Sequence, residues 1–380
     1  MHDAPVVVFS GGGTGGHLYP ALAIADALRV LRPDVRVVFV GAERGLEARV
    51  LPERGEEHLL LPVHGIDRRA LLGNWRAFTG LAVGLVRVLR LFSRIRPEVV
   101  VVTGGYAGAA AGIAAGLMGL PLVLQEQNSV PGAVTILLTR FAAQVHVAFP
   151  EAVGRLPAAS ARCVVSGNPV RSRSPKTRAE ARAAFGIPED ATLALVTGGS
   201  QGSLGLNRGV TAYVEGVCRG DIERVPELHL LWATGRQHLE GVAEALQAAG
   251  APGWVHALPY IEDVPGALVA ADFALSRAGA MTTAELLNQG VPAILVPLPT
   301  AAANHQMHNA RALEAAGAAT VLPEDELTDD RLARALSELA VRRDLRADMS
   351  ARALERARPH ATVTIAADVA KLLRPRRSAA

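Results

Sequence analysis

Short apolar runs, each closing on glycine or polar residues, alternate along this chain with stretches of helical spacing. Residues 6–9 (Val-Val-Val-Phe) read as a buried strand, feeding a glycine turn over 11–16 and a helix from about 17 to 30. The same alternation gives strands at 37–40 and 59–61, with a short helix near 46–54 between them. Trp75, Phe78, Ala82, Leu85, Leu89 and Phe92 then recur at helical spacing, which predicts one core-facing stripe. A strand at 99–102 ends in Gly104-Gly105-Tyr106, the next ends in Gln125-Glu126-Gln127-Asn128, and 141–149 supplies another. The pattern lapses over 156–176, a loose stretch containing the Asn168-Pro169 turn signal, and then the opening of the chain repeats. Strand 193–197, glycine turn 198–202 and a helix from about Ser203 begin a second half, with strands at 228–232, 254–256, 273–276 and 292–296. Residues 281–289 are helical in spacing, 329–358 are helical and charged, and 361–373 give a last helix. Apolar strands alternating with helices predict parallel sheets. The fold class is therefore α/β, with two Rossmann-like domains facing each other across a cleft. Residues 1–165 form the first, completed by a terminal helix from about 345–380 that crosses back; residues 166–344 form the second.

A length of 380 residues suits two such domains. With 50% hydrophobic and 20% charged residues and a net charge of only +3, nothing global points to nucleic acid. Two cysteines, Cys163 and Cys218, fit a reducing compartment and cannot build a metal site alone. The opening residues lack the basic stretch of a signal peptide. Residues 99–124 carry no charge for 26 positions, enough to span a bilayer, but Gly104-Gly105 and Pro121 interrupt them. Strand, small-residue helix and strand is the better reading. Charge is lopsided in one place: between Asp67 and Glu98 lie Arg68, Arg69, Arg76, Arg87, Arg90, Arg94 and Arg96, and no acidic residue. With Leu71, Leu72, Trp75 and Phe78 interleaved, the stretch is either a solvated basic face on a core helix or a peripheral contact with anionic lipid.

Polar groups at successive strand ends mark the candidate chemistry, because open α/β sheets bind ligands beyond the carboxyl ends of their strands. Gly11, Gly13 and Gly16 satisfy the dinucleotide glycine pattern, yet the second strand runs into Gly41-Ala42 before reaching an acidic residue. His17, at the helix start, is either a polar cap or a general base, since imidazole titrates near neutrality. In the second half a helix N-terminus opens at about Ala280 to Thr283, with Glu285 one turn in. That carboxylate either caps the helix or accepts hydrogen bonds from a ribose diol. Asn304, His305, Gln306 and Asn309 follow the next strand, and Arg171 is placed to pair with a phosphate. No Asp-x-Asp pair is present, and His305 and His308 lack a third ligand, so no metal is expected. The turn at 198–202 lacks the Lys-Ser/Thr of a P-loop.

The ordered set Gly12-Gly13-Thr14-Gly15-Gly16-His17, Gly41-Ala42-Glu43-Arg44-Gly45-Leu46-Glu47, Gly104-Gly105-Tyr106, Glu126-Gln127-Asn128, Gly167-Asn168-Pro169-Val170-Arg171, Gly198-Gly199-Ser200-Gln201-Gly202, residues 277–285 and Asn304-His305-Gln306 resembles the bacterial MurG family of glycosyltransferases over essentially the whole chain. The resemblance implies a GT-B fold and an inverting, metal-independent, cofactor-free transfer of N-acetylglucosamine from UDP-N-acetylglucosamine to lipid I, giving lipid II. It implies a peripheral place on the cytoplasmic face of the membrane, with the Arg68–Arg96 region against anionic lipid. Carried over by motif, Ile261 would meet uracil through its backbone and Glu285 would hold the ribose. Ser200 and Arg171 would face the diphosphate, with backbone contacts from Ala280, Met281, Thr282, Thr283 and Ala284. Gln306 and Asn128 would bind the sugar, with Thr14, Gly15 and Gly16 nearby and Asn207 a further polar position. His17 would take the proton of the acceptor hydroxyl, with Glu126 and Tyr106 as alternatives. The chain departs from the family pattern at Gln125, where histidine is usual, and at Ala107-Gly108-Ala109-Ala110, where serine and proline are usual. Competing readings are a UDP-N-acetylglucosamine epimerase of the same architecture, a dinucleotide oxidoreductase, and a noncatalytic membrane scaffold that binds nucleotide sugar.

Overall fold

A computed structural model describes residues 4–13, 15–63, 75–157, 162–171 and 173–375. Thr14 and the stretch 64–74, with Arg68, Arg69, Leu71 and Leu72, lie outside the described residues. In chain order the elements are β1 (Val6–Gly11), α1 (Gly15–Leu31), β2 (Arg36–Ala42), α2 (Glu47–Glu53), β3 (His58–Leu61), α3 (Trp75–Ile95), β4 (Val99–Gly104), α4 (Gly105–Leu117), β5 (Leu122–Glu126), α5 (Ala133–Leu138), β6 (Ala142–Val147) and β7 (Cys163–Val165). Then follow α6 (Arg178–Ala184), β8 (Thr192–Thr197), α7 (Leu204–Arg219), β9 (Leu228–Ala233), α8 (Leu239–Ala248), β10 (Val255–Leu258), α9 (Val264–Ala270), β11 (Phe273–Ser276), α10 (Ala280–Gln289), β12 (Ala293–Leu295), α11 (His305–Ala315), β13 (Ala319–Val321), α12 (Asp329–Val341), α13 (Arg343–Arg356) and α14 (Ala361–Lys371).

The chain divides into two units, one comprising Met1–Val170 with Pro359–Ala380 and the other Arg171–Arg358. The first holds a seven-stranded sheet ordered β3-β2-β1-β4-β5-β6-β7. Each of its pairings is parallel. Apolar residues fill both faces, as a parallel sheet covered by helices requires. One face packs Val8, Val40, Val100 and Leu124 against Val88 and Phe92 of α3 and the alanines of α4. The other packs Phe9, Phe39 and Val101 against Leu18, Ile24 and Leu28 of α1 and Ile365, Ala366 and Val369 of α14. The last helix thus belongs to the first unit's core.

The uncharged stretch at 99–124 is β4, α4 and the start of β5, and among the described residues no helix is long and apolar enough to cross a membrane. The predicted stripe on α3 needs correcting at its start. Phe92 is buried, but Trp75 and Phe78 are each 61% exposed and Ala82 is exposed. The buried face runs instead through Ala77, Gly80, Gly84 and Val88, because Gly80 packs on the Pro62 carbonyl, where a Cβ would come within 2.4 Å of it.

The second unit holds a six-stranded parallel sheet ordered β10-β9-β8-β11-β12-β13. Its core joins Val196, Trp232, Leu275 and Ile294 of the sheet to Leu206, Val210 and Tyr213 of α7 and to Leu332, Leu336 and Leu339 of α12. In each sheet the strand order reverses once, at β1/β4 and at β8/β11. Such a switch point leaves a crevice beyond the carboxyl ends of the two central strands.

Candidate active site

In the first unit the switch point is lined by the turn after β1 and by Gly104-Gly105 at the junction of β4 and α4. Both glycines have positive φ (114° and 76°), which only glycine adopts cheaply. Space demands them too. A Cβ on Gly104 would lie 2.8 Å from the His17 ring, and one on Gly105 would lie 2.1 Å from the Gly12 carbonyl oxygen. His17, the third residue of α1, is half-buried, and its Nδ1 lies 2.9 Å from the Thr103 carbonyl oxygen and 3.0 Å from Gln127 Oε1. Both neighbours are acceptors, which a proton on Nδ1 would satisfy. His17 Nδ1 is thus turned to the ends of β4 and β5. Thr103 reinforces it by donating its hydroxyl to the His17 carbonyl at 2.7 Å.

Gln127 is fixed in turn, donating from Nε2 to the Thr103 carbonyl at 2.7 Å and to the Gln125 carbonyl at 3.0 Å. Gln125, the departure from the family pattern, is buried and donates to Asn168 Oδ1 at 3.0 Å, while Asn168 donates back to the Gln127 carbonyl at 3.0 Å. The substitution therefore sits in an internal brace. Glu126 is 3% exposed, and its carboxylate accepts from Asn128 N–H (3.0 Å), Gly132 N–H (2.9 Å) and the Thr135 hydroxyl (2.6 Å). Its lone pairs are spent on the loop that leads into α5, which corrects its assignment as a proton acceptor: it is a loop brace. Asn128 lies half-buried beside it and Tyr106 is exposed at the first turn of α4. Gly15 and Gly16 open α1.

Glu47 was missed as a site residue, although it closes one of the motifs. It is fully buried, and its Oε1 accepts from Gly13 N–H at 2.8 Å, bracing the glycine turn. Among the described residues its buried Oε2 has no hydrogen-bond partner, and burial pushes the carboxyl above its ordinary range. The signal was the motif spacing, but a contact across 34 positions shows in no local pattern.

In the second unit the switch point is lined by the glycine turn after β8, which carries exposed Ser200, and by the turn from β11 into α10. The N-cap of α10 is Gly279, which has no side chain to cap the helix. The first turn of this helix thus presents backbone N–H groups and the positive end of its dipole. Met281, Thr282 and Ala284 are partly exposed there, while Thr283 is buried with its hydroxyl on the Gly279 and Ala280 carbonyls (3.1 Å each). Glu285 is half-buried, and desolvation pushes its carboxyl up to about 6 against the opposing pull of the Arg171 charge. Gln306, in the first turn of α11, accepts from Leu298 N–H at 3.0 Å, which turns its amide nitrogen the other way. Ile261 is buried just beyond β10.

Asn207 needs a correction. It is 3% exposed, donates to the Thr234 carbonyl at 2.8 Å and accepts from Trp232 Nε1 at 3.1 Å. Both ends of its amide are engaged in tying α7 to the end of β9, so the structure gives it a bracing role. Among the described residues no group of three or more His, Cys, Asp or Glu could hold a metal ion, and His305 turns its Nδ1 to the Ala302 carbonyl at 2.7 Å.

Comparison with known proteins agrees with this architecture. The glycosyltransferase family 28 N-terminal domain matches residues 7–147 and the family 28 C-terminal domain matches 193–364. A Salinibacter ruber protein named UDP-N-acetylglucosamine–N-acetylmuramyl-(pentapeptide) pyrophosphoryl-undecaprenol N-acetylglucosamine transferase is 44% identical over 371 residues, covering 97% of each chain. A crystal structure of MurG from Acinetobacter baumannii superposes with a TM-score of 0.77 at 28% identity, over 97% of this chain and 99% of that one. A UDP-N-acetylglucosamine 2-epimerase structure from Listeria monocytogenes shares the fold, with a TM-score of 0.64 at 16% identity over 97% and 95% of the two chains. The two parallel-sheet units are those of the GT-B fold.

Proposed function

The chain belongs to glycosyltransferase family 28, and on that premise we propose that it moves N-acetylglucosamine from UDP-N-acetylglucosamine to the C4 hydroxyl of the muramyl unit of lipid I, forming lipid II. The observation that supports the donor half best is the grouping, in one unit, of the α10 N-terminus with Glu285 and the Arg171 charge. Glu285 accepts the ribose hydroxyls and Ile261 meets uracil through its backbone. Ser200, Arg171 and the N–H groups of residues 280–284 take the diphosphate, while Gln306 offers its amide to the sugar. On the acceptor side His17 Nε2 removes the C4 proton as that oxygen attacks the anomeric carbon. The bond to the diphosphate oxygen breaks with inversion, and UDP leaves with the electron pair. Negative charge growing on UDP is stabilised by the helix N-terminus and by Arg171, so the residues present suffice without a metal. Asn128 also binds the transferred sugar, with Gly15 and Gly16 nearby.

Docking at the cytoplasmic membrane face is the second element of this proposal. Trp75 and Phe78 stand exposed at the start of α3, and Arg87, Arg90 and Arg94 are exposed along it, which suits an apolar anchor flanked by cations on anionic lipid.

The test is to incubate the purified protein with UDP-N-acetylglucosamine, with and without a lipid I analogue. Acceptor-dependent release of UDP supports transfer. Isomerisation of the nucleotide sugar without acceptor would favour the epimerase reading and refute this one.

A further inference from the structure

The guanidinium of Arg277 is buried in the second unit, and all its nitrogens are engaged. Nε and Nη2 both donate to Ser203 Oγ, at 2.9 and 2.6 Å. Nη1 donates to the carbonyls of Val296 (3.1 Å) and Pro297 (3.2 Å), and Nη2 also pairs with the Glu324 carboxylate. One planar fork thus ties the end of β11 to the N-cap of α7, to the end of β12 and to the segment after β13. Ser203 is that N-cap, accepting from Leu206 N–H at 3.3 Å. Glu324 grips the same first turn from its other side: a Cβ on Gly205 would stand 2.5 Å from its carboxylate.

The placement matters more than the ion pair. Ser203 directly follows the glycine turn that carries Ser200, and Arg277 lies just ahead of Gly279, the N-cap of α10. Apolar packing would stabilise the unit at least as well as a buried ion pair, whose desolvation offsets most of its attraction. What the fork adds is fixed geometry. We propose that Arg277, through Ser203, is a positioning residue for the donor diphosphate, holding the Ser200 turn and the α10 N-terminus at one separation so that both address the same phosphates. This rests on the donor reading above and concerns the second unit only. Lysine, a single point with no fork, cannot serve both Ser203 and the β12 carbonyls.

The experiment measures UDP and uridine affinity by displacement of a fluorescent UDP analogue, alongside thermal melting, for wild type, Ser203→Ala, Ser203→Thr and Arg277→Lys. Ser203→Ala and Arg277→Lys are expected to weaken UDP roughly tenfold or more, the size of a lost charge-assisted contact, while uridine affinity moves less than about threefold. Ser203→Thr, which keeps the oxygen, restores UDP binding. Should Arg277→Lys not fold, Ser203→Ala still severs the link. Equal losses for both ligands, or none, would overturn the inference while leaving the donor reading intact. A wild-type protein that binds neither ligand overturns both.

Discussion

His17 Nδ1 reaches two acceptors at neighbouring strand ends, the Thr103 carbonyl and Gln127 Oε1, and the proposed base is the other ring nitrogen, Nε2. His17→Ala should lower kcat by about 10²–10⁴ while leaving UDP affinity unchanged, since the donor residues belong to the other unit. Near-normal turnover would remove His17 from the chemistry. Glu285 gives a second prediction. Its carboxyl is pushed up to about 6, so the anionic form, which we propose accepts the ribose hydroxyls, fills as pH rises through that value. UDP affinity should therefore climb between about pH 5 and 7, and Glu285→Gln should bind weakly without that climb. The sign for stability is opposite. A carboxyl raised above its unfolded value costs stability once ionised, so Glu285→Gln should melt no lower than wild type at neutral pH. The position of each beyond a strand end was legible in the sequence. The roles of Glu126 and Asn207 were not, because their partners at Gly132, Thr135, Trp232 and Thr234 are set by tertiary folding.

Among the elements, α3 shows where periodicity stops being informative. Apolar residues occupy both sides of its first turns, so spacing alone assigned Trp75 and Phe78 to the core, whereas glycines decide which side packs. That exposure has a measurable consequence. Co-sedimentation with vesicles containing anionic lipid should fall severalfold for the Trp75→Ser, Phe78→Ser pair, and wild-type binding should weaken as salt screens the arginines. Indifference of the wild type to anionic lipid would sink the docking proposal. Strands β9 and β10 carry a second consequence in His229 and His256, stacked with ring centroids 5.5 Å apart. Burial pushes both below their ordinary 6.5, with Arg224 and Arg182 adding to the effect at His229 and Asp190 opposing it. As pH falls below about 6.5 the unfolded chain takes up protons that the folded pair resists, so stability is lost on the acid side. His256→Gln should flatten the fall of melting temperature between about pH 6.5 and 5; an unchanged profile would show that the pair does not control it.

For the molecule as a whole, alternating apolar strands and helices disclosed two parallel-sheet halves, because a buried parallel strand leaves a short uniform run that few other structures share. The edges were less legible. Cys163–Val165 and Ala319–Val321 are three-residue strands, too short to show a pattern. The charged stretch 329–358 is helical, as its pattern predicts, but it breaks at Arg342 into α12 and α13, both in the second unit. The chain accordingly rejoins the first unit at Pro359, later than the expected 345. What the two switch points do together is the central claim, and mass analysis of the lipid product tests it most directly. Given UDP-N-acetylglucosamine and a lipid I analogue, the protein should yield one lipid-linked disaccharide for each UDP released. UDP formed without that disaccharide, or a sugar isomer with no lipid product, would contradict the account.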